Sequence, residues 1–389
     1  MTRTPSLIVV NQTVNPAFVA WVEALAHAGV SVALVSGNAP AGLDPGVILH
    51  RGPAYDRSSA GSRLWSWARF TVAASWRLLR TGRRVPALVV TNPPLMPLAA
   101  WLLHRVQGRR FGLLEWDIYP QVLEVTGLAG RRNLPARLWR ACHRRALRSA
   151  SLVVTIGEGM AAVLREMAGD PGLDVAVIPN WVDTDRIRPL VREENAFARA
   201  QGLEDRLVVV YSGNLGATHA IETVVRVAEE LRDTDGILVL VIGEGAKRSV
   251  VEKAIAAGRA PSLRLLPRQP EAVFPQALAA AQIGIVTLAA GQEGLSMPSK
   301  TYDLMAAGAA ILGISRPPND LAATIERHGC GANFCPESAV AIAAWIRGLA
   351  ADRAGLERLR RASRQAAVEH YSAAWVPGEL AARLRARLL

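Results

Sequence analysis

The segment from Pro298 to Gly308 combines a candidate anion site with a candidate hydroxyl acceptor at a predicted helix start. Proline suits the first turn of a helix, where its missing N–H group is not needed, and Ser299 is a suitable N-cap residue. The free N–H groups of such an end attract phosphate, and Lys300 adds a positive charge. Asp303, on the same helical face, accepts hydrogen bonds and could bind two ribose hydroxyls. The segment therefore predicts a site for a sugar nucleotide.

Lysine is rare in this chain, which makes its presence in that segment informative. The 45 basic residues include only three lysines, Lys247, Lys253 and Lys300, so arginine is the usual cation. An ammonium is a compact point charge and a guanidinium is a planar fork, so Lys300 is consistent with a need for a compact cation at a phosphate. The alternative is a solvated lysine at the start of a helix.

Two glycine-containing turns follow predicted strands in the same half of the chain. They are Ser212-Gly213-Asn214-Leu215-Gly216-Ala217-Thr218-His219 and Gly243-Glu244-Gly245. Glycine permits a tight turn and a close approach of the backbone to phosphate. An ordinary strand-to-helix turn is the alternative for both, and a structural role for His219 is the alternative to a ligand-binding one.

Composition limits the kind of protein this can be. With 389 residues, 50% of them hydrophobic, the chain exceeds what one core usually serves and predicts two domains. The formal net charge is +12, and the excess lies in residues 1–190, which hold 22 arginines against 12 acidic residues. This asymmetry indicates an acidic partner for the first half, with anionic lipid headgroups, phosphorylated acceptors and nucleic acid as candidates.

The cysteines and the apolar segments favour a cytoplasmic protein. The three cysteines form neither a disulfide framework nor a metal-ligand pattern, which is typical of a reducing compartment. The start of the chain lacks the basic region and long apolar segment of a signal peptide. The longest uncharged stretch, residues 85–103, contains four prolines, so a strand, a turn and a helix start explain it better than a membrane span does.

Short runs rich in Val and Ile alternate with longer helical patterns, which is typical of βαβ units and parallel sheets. We predict strands near 6–10, 31–35, 87–91, 111–115, 151–155 and 175–179, and again near 207–212, 237–242, 263–267, 283–287 and 310–314. The predicted fold class is α/β, with two doubly wound Rossmann-like domains facing a central cleft. The predicted divisions are a first domain at 1–185, a linker at 186–206, a second domain at 207–370 and a C-terminal helix at 371–389 that can return to the first domain.

Several segments together resemble the retaining glycosyltransferases of family 4, which have the two-domain GT-B fold. They are Ile178-Pro179-Asn180-Trp181-Val182-Asp183, Tyr211-Ser212-Gly213-Asn214-Leu215-Gly216, Val241-Ile242-Gly243-Glu244-Gly245 and Pro298 to Gly308. Asn92-Pro93-Pro94 and Asp117-Ile118-Tyr119-Pro120 look most like the branch that builds bacterial envelope polysaccharides on lipid carriers. The resemblance implies a first domain that binds the acceptor and faces the membrane, and a second domain that binds a nucleoside-diphosphate sugar.

The chain departs from the family pattern at the sugar end of the donor site. The family commonly carries a Glu-x7-Glu pair, whose second member holds ribose and whose first member faces the donor sugar. Here Asp303 occupies the second position and Leu295 the first. Glu293 lies ten residues before Asp303, so it can replace the missing acid only through a different loop path.

The family's usual basic pair is also altered, because Asn214 stands where an arginine is common and His219 where a lysine is. The resemblance then implies that Lys300, backbone N–H groups and His219 neutralise the diphosphate. Residues 264–269 would border the base. The donor-binding residues that the resemblance implies are Gly213, Asn214, Gly216, His219, Gly243, Arg268, Leu295, Ser296, Met297, Ser299, Lys300 and Asp303.

Asp117 is the candidate for the acceptor side, because it follows a predicted strand of the first domain. A carboxylate there could orient the acceptor hydroxyl or accept its proton. Glu115 can point the same way, and Tyr119 completes the predicted acceptor group. The alternative for Asp117 is a salt bridge to one of the many arginines. The catalytic candidates are Asp117, Lys300 and Glu293.

No metal and no cofactor are expected, since the sugar nucleotide is a substrate. Asp183-Thr184-Asp185 has carboxylates at alternate positions, which can share a divalent cation. The segment lies in the predicted crossover, away from the phosphate site, and the resembling family generally needs no metal for its chemistry. Capping and a hinge role are therefore preferred for these residues.

Two arginine-rich helical patterns in the first domain suit an anionic membrane surface. The first mixes arginine with tryptophan, and its predicted surface residues are Arg63, Trp65, Trp67, Arg69, Trp76, Arg77 and Arg80. The second runs through residues 131–148 and begins with Arg131 and Arg132. Each basic residue near such a surface contributes roughly 1 kcal/mol of binding free energy. The alternative is a solvated face over an internally packed helix.

Together these features predict a cytoplasmic, retaining glycosyltransferase, peripheral on the inner face of the cytoplasmic membrane. It would move a hexosyl or N-acetylhexosaminyl group from a nucleoside-diphosphate sugar to a hydroxyl of a lipid-linked glycan in envelope polysaccharide or glycolipid synthesis. Two alternatives stay open. One is a sugar-nucleotide epimerase or hydrolase on the same fold, and the other is a non-catalytic protein that binds polyanions or membranes. Nucleic acid is not an expected partner of the enzyme.

Overall fold

The structure, a computed structural model, describes residues 4–40, 42–56, 58–125, 127, 130, 133–216 and 219–389. The predictions for Arg131 and Arg132, and those for Ala217 and Thr218 of the first glycine turn, lie outside these residues. The chain forms two compact units. The first unit extends to Pro179 and includes Trp375–Leu389, and the second unit is Asn180–Ala374.

The first unit contains a seven-stranded parallel sheet with the order β3-β2-β1-β4-β5-β6-β7. Its strands are β1 (Leu7–Val10), β2 (Val32–Ser36), β3 (Val47–Arg51), β4 (Ala87–Val90), β5 (Phe111–Glu115), β6 (Leu152–Thr155) and β7 (Val175–Val177). At the centre, Ile8 of β1 is opposite Ala33 on one side and Ala87 on the other. Every residue of β1, β2, β4, β5 and β6 is buried, which is typical of a sheet that helices cover on both faces.

The helices of the first unit fill the crossovers between these strands. They are α1 (Pro16–His27), α2 (Ala60–Arg80), α3 (Met96–Gln107), α4 (Gln121–Val125), α5 (Leu134–Ser149) and α6 (Glu158–Ala168), with α15 (Val376–Arg387) at the end of the chain. Asn15 and Asn133 cap α1 and α5, because their side chains accept hydrogen bonds from the N–H groups of the first turn. In α15, Leu380 and Leu384 are buried, and the carbonyl of Pro377 accepts a hydrogen bond from the indole of Trp21.

The second unit contains a six-stranded parallel sheet with the order β10-β9-β8-β11-β12-β13. Its strands are β8 (Leu207–Ser212), β9 (Ile237–Ile242), β10 (Leu263–Leu266), β11 (Ile283–Thr287), β12 (Ala310–Ile314) and β13 (Gly331–Phe334). Its helices are α7 (Ala196–Ala200), α8 (Ile221–Glu230), α9 (Arg248–Ala256), α10 (Phe274–Ala279), α11 (Lys300–Ala306), α12 (Asp320–His328), α13 (Ala339–Ala351) and α14 (Arg353–His370). Valine and isoleucine side chains of β8, β9 and β11 form one buried cluster with the apolar faces of α8 and α13.

The observed division of the chain differs from the predicted boundaries at 185 and 206. Residues after Pro179 already belong to the second unit, because their side chains and backbone bind it. Phe197 is buried, the amide of Asn195 donates to the carbonyl of Gln276 at 2.9 Å, and the carbonyl of Gln201 accepts a hydrogen bond from Arg264 at 2.6 Å. The polar stretch therefore forms part of the second unit, with polar contacts that a hydrophobic pattern does not reveal.

Candidate functional site

The predicted phosphate-binding residues of the second unit gather where its sheet order reverses, between β8 and β11. In doubly wound sheets, ligands bind at the carboxyl ends of the strands at such a switch point. His219, in the turn after β8, places its Nδ1 3.2 Å from the carbonyl oxygen of Thr287, the last residue of β11. This contact joins the two loops that flank the switch point.

The two glycine turns contact each other so closely that side chains are excluded. Gly213 and Gly243 have φ angles of 142° and 155°, and a Cβ atom on Gly243 would lie 1.9 Å from the carbonyl oxygen of Gly213. Gly245 has a φ of 149°, and a Cβ atom on it would lie 2.6 Å from the carbonyl oxygen of Leu215. Glycine is required here for the close approach of two backbone segments.

The same packing changes the predicted role of the glycine turns. The N–H group of Gly213 donates to Ile242, that of Gly243 to Leu266 and that of Leu215 to Glu244. These N–H groups are therefore already paired with backbone carbonyls. These three N–H groups are not free to donate to a phosphate, and the glycines leave space beside a cationic side chain.

That side chain is Lys300, the first residue of α11. Its Nζ atom is buried and has no hydrogen-bond partner in the described part of the chain. It lies 3.9 Å from the ring centroid of Tyr211, and a Cβ atom on Gly213 would be 3.0 Å from it. Burial lowers the pKa of Lys300 to about 7, because the ammonium has lost water without gaining an anion. An anion bound here would restore the charged form.

His219 does not supply a second positive charge. Burial, with a further contribution from Lys300, lowers the pKa of His219 to about 4, so its imidazole is neutral at pH 7. A carbonyl oxygen is only an acceptor, so the contact with Thr287 assigns the ring proton to Nδ1. The Nε2 atom is then a hydrogen-bond acceptor, which suits a hydroxyl rather than a phosphate oxygen.

Ser299 is at the N-cap position of α11, where the sequence places it, but its side chain does not cap the helix. Its backbone is in the helical region, with φ of −59° and ψ of −28°, and it makes no side-chain hydrogen bond to the helix start. The helix begins at Lys300, and the N–H groups of Thr301 and Tyr302 already donate to the carbonyls of Pro298 and Ser299, so few N–H groups of its first turn are free. Instead, the hydroxyl of Thr301 donates to the carbonyl of Pro298 at 2.7 Å. Positive charge at this position comes from the Lys300 side chain.

Asp303 lies one turn into α11 and is partly buried. Burial raises its pKa to about 7, an effect that Arg186 opposes and Glu271 reinforces. Arg186 forms an ion pair with Glu271 at 2.5 Å. The carboxylate of Glu271 therefore partly cancels the charge with which Arg186 stabilises the ionised form of Asp303. The carboxyl group of Asp303 can therefore bind a hydroxyl whether it is protonated or ionised.

The loop before α11 holds the remaining predicted donor residues of the second unit. One oxygen of Glu293 accepts the N–H of Gly291 at 2.6 Å, and its other oxygen is buried with no partner among the described residues. Leu295 and Met297 are buried, and Ser296 is partly buried. Asn214, Ser299 and Arg268 are exposed, and Gly216 is partly buried beside the Asn214 amide.

Two of the predicted acceptor residues of the first unit, Glu115 and Tyr119, contact a buried histidine, His143, that the sequence did not reveal. Glu115 is fully buried at the end of β5, and its Oε1 atom is 3.0 Å from Nε2 of His143. The other ring nitrogen of His143 is 2.8 Å from the carbonyl oxygen of Tyr119. Burial raises the pKa of Asp117 to about 6, and the charge of Glu115 adds to this rise.

Polar groups at the neighbouring strand ends extend this cluster. The hydroxyl of Thr91, after β4, accepts the N–H groups of Trp116 and Asp117 at 3.1 and 3.3 Å. Asn11, after β1, is fully buried, and neither atom of its amide has a partner within the described ranges. The sheet order of this unit reverses between β1 and β4, so Asn11 and Thr91 lie at its switch point.

The predicted membrane-surface residues lie on α2, with one exception. Trp67 is only 4% exposed and packs against Tyr55 and Tyr119, at centroid distances of 6.2 and 6.1 Å, so its prediction as a surface residue is wrong. Helical spacing placed it with the arginines but did not show that it points inward. Arg63 is partly buried, and the exposed members are Trp65, Arg69, Trp76, Arg77 and Arg80. No helix in the described ranges is long and apolar enough to cross a membrane.

The candidate D-x-D segment forms a turn that the side chain of Asp183 stabilises. One oxygen of Asp183 accepts the N–H groups of Asp185 and Arg186 at 3.1 and 2.9 Å. Within the described ranges, no group of three or more His, Cys, Asp or Glu side chains is placed to hold a metal ion.

Comparisons with known proteins identify sequence relatives. Residues 17–186 match the model of glycosyltransferase family 4. The chain is 30% identical over 256 residues to the probable glycosyltransferase WbjE of Pseudomonas aeruginosa, an alignment that covers 66% of this chain but only 64% of that relative's length. It is 25% identical over 294 residues to the putative colanic acid biosynthesis glycosyl transferase WcaI of Escherichia coli K12, covering 73% of this chain and 71% of that protein.

Solved structures share the fold along the whole chain. A sucrose-phosphate synthase from Thermosynechococcus elongatus superposes with a TM-score of 0.79 at 17% identity, covering 99% of this chain and all of that one. Anabaena Alr3699/HepE, solved in complex with UDP and glucose, gives a TM-score of 0.72 at 14% identity, with coverage of 98% and 99%. These structural matches confirm the predicted fold class, two doubly wound α/β domains of the GT-B type.

Proposed function

We propose that this chain is a glycosyltransferase of family 4, whose model matches residues 17–186, and that it transfers a sugar from a nucleoside-diphosphate sugar to a hydroxyl acceptor. The observation that carries the proposal is the Lys300 ammonium, which is buried beside Gly213 without a partner in the described residues. A buried cation is costly unless an anion joins it. The diphosphate of the donor supplies that anion.

Lys300 also suits the chemical step. Cleavage of the bond between the sugar and the diphosphate places negative charge on the departing phosphate. A cation that is already in position and shielded from water stabilises this charge without reorganisation. Because the N–H groups of Gly213 and Gly243 are paired elsewhere, Lys300 carries more of this task than the family pattern implies.

The sugar and ribose hydroxyls are assigned to three side chains. Asp303 holds the ribose hydroxyls, and Nε2 of neutral His219 accepts a hydrogen bond from a donor hydroxyl. The unpaired buried oxygen of Glu293 accepts another from the transferred sugar, in place of the acid that Leu295 replaces. Each of these groups is an acceptor, which matches ligands that present O–H donors.

Asp117 is the proposed acceptor-side group. Its raised pKa, about 6, leaves it ionised at pH 7 but basic enough to hold or accept the proton of an attacking hydroxyl. With no nucleophile assigned on the opposite face, the proposed course is same-face attack with retention of the anomeric configuration. Envelope polysaccharide synthesis is the proposed setting, in line with the name of WcaI, a putative colanic acid biosynthesis glycosyl transferase.

A lipid-linked acceptor and a peripheral position on the inner face of the cytoplasmic membrane complete the proposal. They are supported by an exposed apolar stripe on α2. Trp65, Val72, Trp76 and Leu79 are 67%, 70%, 61% and 42% exposed, at spacings that place them on one face of the helix. Arg69 and Arg80 border this stripe, as expected for a helix that lies at an anionic lipid surface.

The donor site is tested by calorimetric titration of the full chain with nucleoside-diphosphate sugars, including UDP-glucose. Lys300→Ala is compared with Lys253→Ala, which removes the same charge from an exposed position on α9. Loss of an ion pair at a buried site costs about 3 kcal/mol, so we expect Lys300→Ala to weaken binding about 100-fold. The Lys253 variant should bind as the parent does. Equal affinities in the two variants would refute the donor-site assignment.

The reaction is tested with a polyprenyl-diphosphate-linked glycan as the acceptor. NMR of the product should show the anomeric configuration of the donor, and the donor should persist when the acceptor is omitted. Release of free sugar, or an isomerised donor, without acceptor would instead indicate the hydrolase or epimerase. Binding of polyanions without any effect of sugar nucleotides would indicate the non-catalytic alternative.

A further inference from the structure

A cavity of about 310 Å³ lies in the first unit, beside the carboxyl end of β3 and the last turns of α2. It has no part in the catalytic roles assigned above. Its lining includes the side chains of His50 and Arg51 from β3, and those of Trp76, Arg77 and Arg80 from α2. Arg77 and Arg80 are one helical turn apart, so α2 presents both guanidinium groups on the side of the cavity.

The cavity is rich in positive charge that the protein does not neutralise. Among the residues that the structure describes, Arg51, Arg77 and Arg80 form no ion pair with a carboxylate. Arg51 donates through Nη1 to the carbonyl of Ala39 at 3.1 Å, which fixes its stem and leaves four further N–H donors. Burial and the charge of Arg77 lower the pKa of His50, so the imidazole is neutral at pH 7 and the charge is that of the guanidinium groups.

The planar guanidinium group matches the oxygen geometry of phosphate. Three guanidinium groups around one cavity carry more positive charge than a single carboxylate would neutralise. The volume is at the lower end of the range of small-molecule sites, which suits a phosphate ester or a diphosphate. The ligand must also tolerate an apolar neighbour. Trp76 belongs both to the cavity and to the exposed stripe that continues through Val72 to Trp65.

We propose that this cavity binds the phosphate group of a molecule whose apolar chain lies along the α2 stripe. The occupant that we infer is an anionic membrane lipid with a phosphate-ester headgroup, and this inference rests on the membrane-facing part of the proposed function. The cavity would hold the phosphate at a fixed place on the protein, in contrast to the diffuse attraction of a basic surface.

The test uses the full chain and vesicles of neutral phosphatidylcholine, with or without phosphatidate, whose headgroup is a phosphate monoester. The variant Arg51→Gln/Arg77→Gln is compared with Arg353→Gln/Arg361→Gln, which removes the same charge from exposed positions on α14 of the second unit. We expect the parent to prefer phosphatidate vesicles, and the cavity variant to lose at least about tenfold in affinity for them. The α14 variant, whose changes lie outside both predicted membrane-facing segments, should lose less than about twofold. Equal losses in the two variants, or no loss in either, would overturn the proposal.

A second arm separates binding of a lipid-borne phosphate from binding of a free one. Inorganic pyrophosphate is titrated into the Lys300→Ala protein, whose donor site should no longer bind a diphosphate. The same titration is repeated with Arg51→Gln and Arg77→Gln added to that protein. Competition between pyrophosphate and phosphatidate vesicles supports one phosphate site at the cavity. Pyrophosphate binding that depends on Arg51, without any preference for phosphatidate vesicles, would overturn the lipid assignment. Retained UDP-glucose binding by the cavity variant shows that it is folded and separates this outcome from failure of the donor site.

Discussion

The imidazole of His143 lies 3.0 Å from the carboxyl group of Glu115, and both side chains are almost fully buried. The other ring nitrogen must donate its proton to the carbonyl of Tyr119, because that oxygen only accepts. The pair therefore shares one further proton between Nε2 and the carboxylate. The two contacts hold the loop that carries Asp117, because Glu115 and Tyr119 lie on either side of Asp117 in the chain.

Removal of His143 should destabilise the protein in a pH-dependent way. Burial alone would lower the pKa of His143, but the charge and hydrogen bond of Glu115 outweigh it and raise the pKa above 6.5. The stabilisation is therefore complete below the unfolded pKa of about 6.5 and is lost as pH rises through the folded value. We expect His143→Gln to lower the free energy of unfolding by about 3 kcal/mol at pH 6 and by less at pH 9.

Urea unfolding of the parent and His143→Gln at several pH values measures this difference. Arg144→Gln, next to it on α5 but exposed, is the control. A difference between the parent and His143→Gln that is constant from pH 6 to pH 9 would exclude a shared proton. A difference that grows with pH would mean that the sign given above is wrong.

Binding of the donor should weaken as pH rises. The pKa of Lys300 is about 7 in the free protein, so the ammonium that attracts the diphosphate is progressively lost above that pH. A bound diphosphate favours the charged form, so binding takes up protons in this range. Calorimetry with a nucleoside-diphosphate sugar, whose own charge is constant between pH 6 and 9, should show falling affinity. In Lys300→Ala most of this fall should disappear, and a fall as steep as in the parent would assign the titration to another group, such as Asp303.

Much of this architecture, but not all of it, was predictable from the sequence. Central strands such as β1 and β9 are continuous apolar runs because both faces are buried, and their predicted positions agree with the structure. β3 and β13 were not predicted. They are half-exposed edge strands, so β3 carries His50 and Arg51, and β13 is the short sequence Gly-Ala-Asn-Phe.

The candidate site, like the fold, was predictable from the sequence only in part. Motif order drew attention to Lys300 and Gly213, which the structure brings together. His143 could not be found, because it is 28 residues from Glu115 and sits among arginines on an amphipathic helix. The inward direction of Trp67 was equally hidden, since spacing gives the face of a helix but not its orientation toward the core.

Replacement of Lys300 by methionine should stabilise the free protein while it abolishes donor binding. The ammonium is buried over the Tyr211 ring with its pKa lowered, so at neutral pH its charge opposes folding. Methionine keeps a long apolar stem and the contact with the ring without that cost. We expect the melting temperature of Lys300→Met to rise by a few degrees, equivalent to about 1 kcal/mol. A lower melting temperature would show that the lysine is stabilising as it stands.

Substitution of Gly243 by alanine should separate the two glycine turns and impair the donor site. A Cβ atom would lie 1.9 Å from the carbonyl oxygen of Gly213, at a φ of 155° that side chains rarely adopt, so the backbone must move. We expect a loss of about 2 kcal/mol in the free energy of unfolding and weaker binding of nucleoside-diphosphate sugars. Gly348→Ala is the matched control, because Gly348 lies within α13 and a Cβ atom there meets nothing within 4 Å. That change should stabilise the helix by a few tenths of a kcal/mol to about 1 kcal/mol and leave binding intact. If Gly243→Ala bound the donor as well as Gly348→Ala does, the close contact of the turns would have no part in shaping the space beside Lys300.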